Sequence, residues 1–324
     1  MKSKRRLERI CVWDAEPIDA NVMFSRFTAA AVSLRPAKWD KAGNADKMED
    51  FFRKAARKKP HLIVAPEGML EGYVVSDATW HRERAGALID IAEPINGPYI
   101  RRFQKLAKSL RTCLCFGFAE RIGRDAFNSA VFIGNDGRVY GTHHKLAETT
   151  HPSWNFARMG DHIRAFDTPL GRCGILICAD RWFSILARTL ALDDAQFLVI
   201  PTFGTITKSQ TVAVLARARE NGLPIVQANV GMNMIVSRGE IAAYTWGEDR
   251  ITVAEIDVPV RSSPSTLRAC VREFQRAQKR MHHKWYVGTM KEIRKAKPSR
   301  DVQKAFLSER AFRRLQKTNW GAEP

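Results

Sequence analysis

The sequence predicts an α/β protein in which mixed sheets are covered by helices, and three observations carry that prediction. Short apolar runs alternate with segments whose apolar residues recur at helical spacing. Some neighbouring strands are joined by tight Gly-containing turns and others by helical crossovers, a combination that an all-parallel sheet does not show. No internal repeat or low-complexity stretch interrupts the pattern, and 324 residues at 45% hydrophobic suffice for one large core.

Taken in order, Ala29 to Leu34 is a short apolar run, and Met48, Phe51, Phe52, Ala55 and Ala56 follow at helical spacing. His61 to Ala65, ended by Pro66, completes a strand, helix, strand unit. Behind Gly97 and Pro98, the residues Ile100, Phe103, Leu106, Ala107 and Leu110 predict a second helix, which leads into a strand over Cys113 to Ala119. Asn128 to Ile133 and Arg138 to His143 flank Gly134-Asn135-Asp136-Gly137, a hairpin signal. Ile163 to Asp167 and Arg172 to Ile177, separated by Thr168-Pro169-Leu170-Gly171, predict a second hairpin. A helix over Trp182 to Leu192, a strand over Gln196 to Ile200, a helix across 209 to 221, and strands at Ile225 to Asn229 and Ile251 to Ile256 continue the alternation.

This divides the chain into an N-terminal extension (1–26), a main globular domain (27–260) and a basic C-terminal extension (261–324). Of the net charge of +19, the last segment holds +12, with 17 Lys or Arg against 5 Asp or Glu. Such a tail, with Trp285, Tyr286 and Trp320, has the composition to track phosphates and stack bases. Leu267, Val271, Phe274 and Ala277 recur at near-helical spacing, and the favoured reading is a packing helix with a solvated basic face. No run reaches the roughly 18 apolar residues of a membrane helix, and the basic start Lys2-Ser3-Lys4-Arg5-Arg6 leads into no apolar signal core. The six cysteines are scattered; Cys113 and Cys115 have the spacing of same-face strand residues, not of a metal knuckle. Free thiols in a reducing compartment, the cytoplasm, are the expectation.

Three polar residues stand at the ends of strand-like segments. Cys178 follows Gly174-Ile175-Leu176-Ile177; taken alone it reads as a core residue, but the first N–H groups of a following helix would favour a thiolate there. Glu67 follows Leu62-Ile63-Val64-Ala65-Pro66, where a carboxylate above an apolar floor could accept and return a proton near neutrality, the bland alternative being a turn-capping surface residue. Lys145 follows Tyr140-Gly141-Thr142-His143-His144; it either marks the solvent end of a strand or sets an ammonium where a carbonyl oxygen turns negative.

The segments Val64-Ala65-Pro66-Glu67-Gly68, His143-His144-Lys145-Leu146 and Gly174 to Phe183 together resemble the nitrilase superfamily, the carbon-nitrogen hydrolases, over about residues 27–257. Pro201-Thr202-Phe203, Ala216 to Asn221 and Gln227-Ala228-Asn229 add to the likeness. The resemblance implies a four-layer α-β-β-α sandwich paired into homodimers or larger homo-oligomers through a helical layer. It also implies a thioester mechanism without metal or organic cofactor, in which Cys178 is nucleophile, Glu67 base, and Lys145 with the Ala179 N–H the oxyanion holder. Trp182 and Phe203 fall at pocket positions. Nitrile-cleaving members have Trp-Glu after the cysteine; Ala179-Asp180 is closer to amidases and carbamoyl-amide hydrolases, so a small amide or N-carbamoyl amine is the implied substrate. Two departures stand out. The further glutamate common in the family falls at Pro152 and Ser153 by count, leaving Glu148 as the nearby candidate, and Ser184-Ile185 replace the usual Pro-Glu.

A catalytically weak or inactive protein on the same scaffold, binding nucleic acid or a protein through its tail, is the alternative from another class; three unrelated polar residues at strand ends speak against it. A papain-like hydrolase using His143, His144 or His151 lacks the cysteine's flanking pattern. A zinc enzyme is disfavoured because His143-His144 and His282-His283 are adjacent pairs and no HExxH occurs.

Overall fold

The computed structural model describes residues 24–76, 85–147, 157–204 and 208–260. In chain order these hold β1 (Phe24–Ser33), α1 (Lys41–Ala56), β2 (Leu62–Val64), α2 (Ala85–Ile91), α3 (Pro98–Leu110), β3 (Cys113–Ile122), β4 (Asp125–Ile133) and β5 (Val139–His144). They continue with β6 (Phe166–Thr168), β7 (Gly171–Ile175), α4 (Ser184–Leu192), β8 (Phe197–Thr202), α5 (Lys208–Asn221), β9 (Ile225–Asn229), β10 (Met232–Ser237), β11 (Glu240–Trp246) and β12 (Arg250–Pro259). Two six-stranded mixed sheets result, ordered β12-β1-β2-β3-β4-β5 and β11-β10-β9-β8-β7-β6.

The layering follows from strands apolar on both faces. On β1, Ala29 and Ala31 face one cluster and Ala30 and Val32 another. The first cluster lies between the sheets: Leu62, Val64, Cys115 and Phe132 meet Ile175, Phe197, Val199 and Val226. The second packs the outer face of the first sheet, through Ile63, Leu114 and Phe116, on Met48 and Phe52 of α1 and Ile100 and Phe103 of α3. A third buries Leu198, Ile200 and Met234 of the second sheet under Ala187 and Leu190 of α4 and Val214 and Ala218 of α5. This is the α-β-β-α sandwich.

Helix ends obey local chemistry. The Asp40 carboxylate accepts the Gly43 N–H at the start of α1, and Pro98 opens α3, where a missing N–H costs no hydrogen bond. Cys113 and Cys115 share the inter-sheet face, as their spacing predicts.

Several expectations are corrected. The second hairpin begins at Phe166, not Ile163; Ile163 instead fills the α4–α5 core, so its apolarity serves packing outside a strand. No helix runs from Trp182: a 3-10 turn spans Cys178–Trp182 and α4 starts at Ser184. The hairpin β10–β11 and helix α2 were not anticipated. β11 is largely exposed and lacks a clean alternation of apolar and polar residues, and α2 has only seven residues. The extension before β1, the segment holding Glu148, and the basic tail from 261 lie outside the described residues. Among the described residues no helix is long and apolar enough to cross a membrane.

Candidate active site

Strand direction brings the three strand ends together. β1, β2 and β3 run parallel, β4 reverses and β5 reverses again, so β2 and β5 finish on the same side of the first sheet. β7, β8 and β9 run parallel in the second sheet. The residues that follow β2, β5, β7 and β8 are Ala65 to Glu67, Lys145, Leu176 to Cys178 and Phe203.

Glu67 is wholly buried. Pairing with β3 continues past β2 through Ala65 N–H to Cys115 O (2.8 Å), Gly117 N–H to Pro66 O (3.0 Å) and Met69 N–H to Gly117 O (2.9 Å). The approach is so close that a Cβ on Gly117 would lie 2.5 Å from Glu67 Cα, so only glycine fits there. The carboxylate accepts Lys145 Nζ (2.8 Å) and Asn128 Nδ2 (2.8 Å) on Oε1, and the Phe203 N–H (3.0 Å) on Oε2. Donors from three other segments therefore surround the group. Lys145 is 2% exposed, so this ion pair is shielded from water, where it is worth more than on a surface.

Cys178 opens the 3-10 turn with φ +46, the left-handed region that a side chain adopts only when its surroundings force it. Its main-chain oxygen is held by Arg181 Nη1 at 2.7 Å, and Arg217 Nη1 of α5 holds the Arg181 carbonyl at 3.0 Å. The sulfur donates weakly to Phe203 O at 3.9 Å. Burial and then the Glu67 charge push the thiol above its ordinary value, against smaller pulls from Arg181 and Lys145. This corrects the expectation of a helix-favoured thiolate, since no α-helix starts at the sulfur. Of the cysteines among the described residues, Cys113, Cys115 and Cys173 are buried in the core and Cys178 alone keeps partial exposure.

Asp180 fastens the turn that holds Cys178 to the segment that holds Lys145. Its wholly buried carboxylate accepts the Ile177 N–H (2.9 Å) beside the cysteine and the Leu146 and Ala147 N–H groups (3.1 and 2.7 Å) beside the lysine. The ring of His143 lies 2.9 Å from it. Phe203 joins the other two residues through its backbone and stacks its ring on Tyr73 at 4.0 Å. Ala179 is buried directly after Cys178. Trp182 is 42% exposed beneath the Arg181 guanidinium, and among the described residues no hydrogen bond or ring contact ties it to the other three.

Sequence reasoning passed over Asn128 and Glu71. Asn128 opened a predicted strand without being given a role, and the structure leaves it 1% exposed. Glu71, four residues past Glu67, is buried, accepts the Ala119 N–H at 2.7 Å and is pushed up to about 7 by burial; nothing local in the sequence marks it.

The model of the family described as carbon-nitrogen hydrolase matches residues 28–263, and the chain belongs to that family. It is 28% identical over 208 residues to a probable nitrilase of Schizosaccharomyces pombe, covering 62% of this chain and 73% of that one. It is 29% identical over 221 residues to N-carbamoylputrescine amidase of Oryza sativa subsp. japonica, covering 64% and 70%. A crystal structure of a carbon-nitrogen hydrolase from Helicobacter pylori superposes with a TM-score of 0.62 at 20% identity, over 79% of this chain and 92% of the other, and shares its fold.

Proposed function

We propose that this chain hydrolyses a small amide or N-carbamoyl amine through an acyl-enzyme on Cys178. The observation that carries the reading is the buried Glu67–Lys145 pair joined to the cysteine through the backbone of Phe203. Cys178 Sγ bonds to the carbonyl carbon while its proton passes to Glu67, and Lys145 Nζ and the Ala179 N–H hold the oxygen as it turns negative. Glu67 returns the proton to the leaving nitrogen as the carbon–nitrogen bond breaks. Water then gives a proton to Glu67 and adds to the thioester, releasing the acid and restoring the thiol. A thiol held above its ordinary value stays protonated until the base takes the proton, which makes transfer to Glu67 part of the attack.

Likeness to an N-carbamoylputrescine amidase supports an amide or carbamoyl substrate, as does Ala179-Asp180 after the nucleophile. Likeness to a probable nitrilase makes a nitrile the comparison substrate. A screen of small amides, N-carbamoyl amines and nitriles for ammonia release tests the reading, with Cys178→Ala as blank. Turnover confined to nitriles, or equal in the blank, would defeat it. The same reading pairs two cytoplasmic copies through the α4–α5 layer, where Phe183, Ile185 and Val212 are exposed; sedimentation of a Phe183→Ser, Val212→Ser variant as a monomer is the expected result.

A further inference from the structure

The two oxygens of Glu67 are not equivalent. Oε1 accepts both Lys145 Nζ and Asn128 Nδ2, each at 2.8 Å. Among the described residues Oε2 accepts the Phe203 N–H alone, at 3.0 Å, and the carbonyl of that same residue takes the weak bond from Cys178 Sγ. An oxygen whose lone pairs already serve an ammonium and an amide is the poorer place for a proton; the other lies beside the residue that touches the sulfur.

Asn128 is built into this division twice. Its main-chain oxygen accepts the Lys145 N–H at 2.8 Å, and its side-chain amide holds the carboxylate that the same lysine's ammonium holds. The amide orientation is dictated by chemistry, since the reverse would set a carbonyl oxygen against a carboxylate. Its Oδ1 is buried and, among the described residues, without a partner. A buried acceptor left in this way costs stability, a poor arrangement for a side chain that serves stability alone.

We infer that Asn128 is a positioning residue: with Lys145 it occupies Glu67 Oε1 and so makes Oε2 the oxygen that exchanges the proton with Cys178 and the leaving nitrogen. The inference rests on the proposed function, and its test has an arm that does not. Asn128→Leu keeps the branching and the number of side-chain heavy atoms and removes the donor; Asn128→Asp sets a second carboxyl against the first. For each, kcat and KM are measured per Cys178 titrated by iodoacetamide, together with the rate of that alkylation at pH 7. In the leucine variant, kcat per titrated site and the alkylation rate should both fall about tenfold with KM within twofold, because the base is no longer held in one orientation. The aspartate variant should be nearly inactive at pH 6 and recover as pH rises, because two touching carboxyls share one proton. A merely structural role would lower the titrated fraction and leave kcat per site and its pH dependence unchanged, and that result overturns the inference. If the wild type releases no ammonia from any amide, the functional reading fails and the alkylation rates still decide the role of Asn128. Should the leucine variant not fold, the pH recovery of the aspartate variant decides alone.

Discussion

In the proposed reaction Cys178 supplies the bond-forming atom from a backbone position of positive φ, and its neighbours set what each substitution does. Cys178→Ala should abolish ammonia release and leave folding intact, whereas Cys113→Ala, deep between the sheets, should retain turnover at some cost in stability. Equal loss of activity in both, with folding intact, would contradict the assignment. Lys145→Met should lower kcat about a hundredfold, the scale of removing one oxyanion donor. It also strands a buried carboxylate, which costs about 3–5 kcal/mol, so the Lys145→Met, Glu67→Gln pair should refold more readily than the single variant. An unchanged kcat with raised KM would remove Lys145 from that role. Glu67, Lys145 and Cys178 were legible as candidates because each is a reactive residue at the end of a strand-like segment and the family resemblance joins the three. Asn128, Asp180 and Glu71 were not, because their importance lies in which distant N–H or carboxylate each meets, and no local pattern encodes that.

At the scale of elements, the turn after β7 and the segment after β5 belong to different sheets, and the Asp180 carboxylate is what binds one to the other. Asp180→Asn turns one oxygen into a donor facing N–H groups. It should destabilise by about 2–3 kcal/mol, and kcat should fall further than the loss of folded protein explains; urea unfolding beside active-site titration measures both. Wild-type kcat per titrated site would mean that the clasp does not set the distance from lysine to cysteine. Gly117→Ala should act through β3, since its new methyl meets the Glu67 backbone and must push the base away. Most strands and helices were readable from periodicity, and β10, β11 and α2 were not. The helix expected from Trp182 begins two residues later, at Ser184, after a 3-10 turn over Cys178–Trp182, and the positive φ of Cys178 leaves no mark in the sequence.

Across the whole molecule, the buried acid Glu71 makes stability depend on pH. Its folded value of about 7 stands above the unfolded 4.5, so the fold favours the neutral form. Below pH 4.5 the group is protonated in both states and imposes no penalty. As pH rises from there to about 7 the penalty grows, reaching roughly 3 kcal/mol. Glu71→Gln should therefore unfold at higher urea than wild type at pH 8 and at nearly the same urea at pH 4. Parallel pH curves for the two proteins would show that Glu71 is ionised in the fold at neutrality. The four layers were implied by resemblance, and periodicity alone reached only mixed sheets under helices, because which face of a doubly apolar strand meets the other sheet is settled by pairing far along the chain.

One such pairing joins β1 to β12, from Phe24 with Pro259 to Ser33 with Arg250. During synthesis β1 leaves the ribosome more than two hundred residues before the strand that flanks it, so the first sheet waits with an open edge while the site's three strand ends are already made. Chains stopped before residue 250 should therefore bind chaperones or aggregate although they contain Glu67, Lys145 and Cys178, and co-translational folding should become protease-resistant only after residue 259 has emerged.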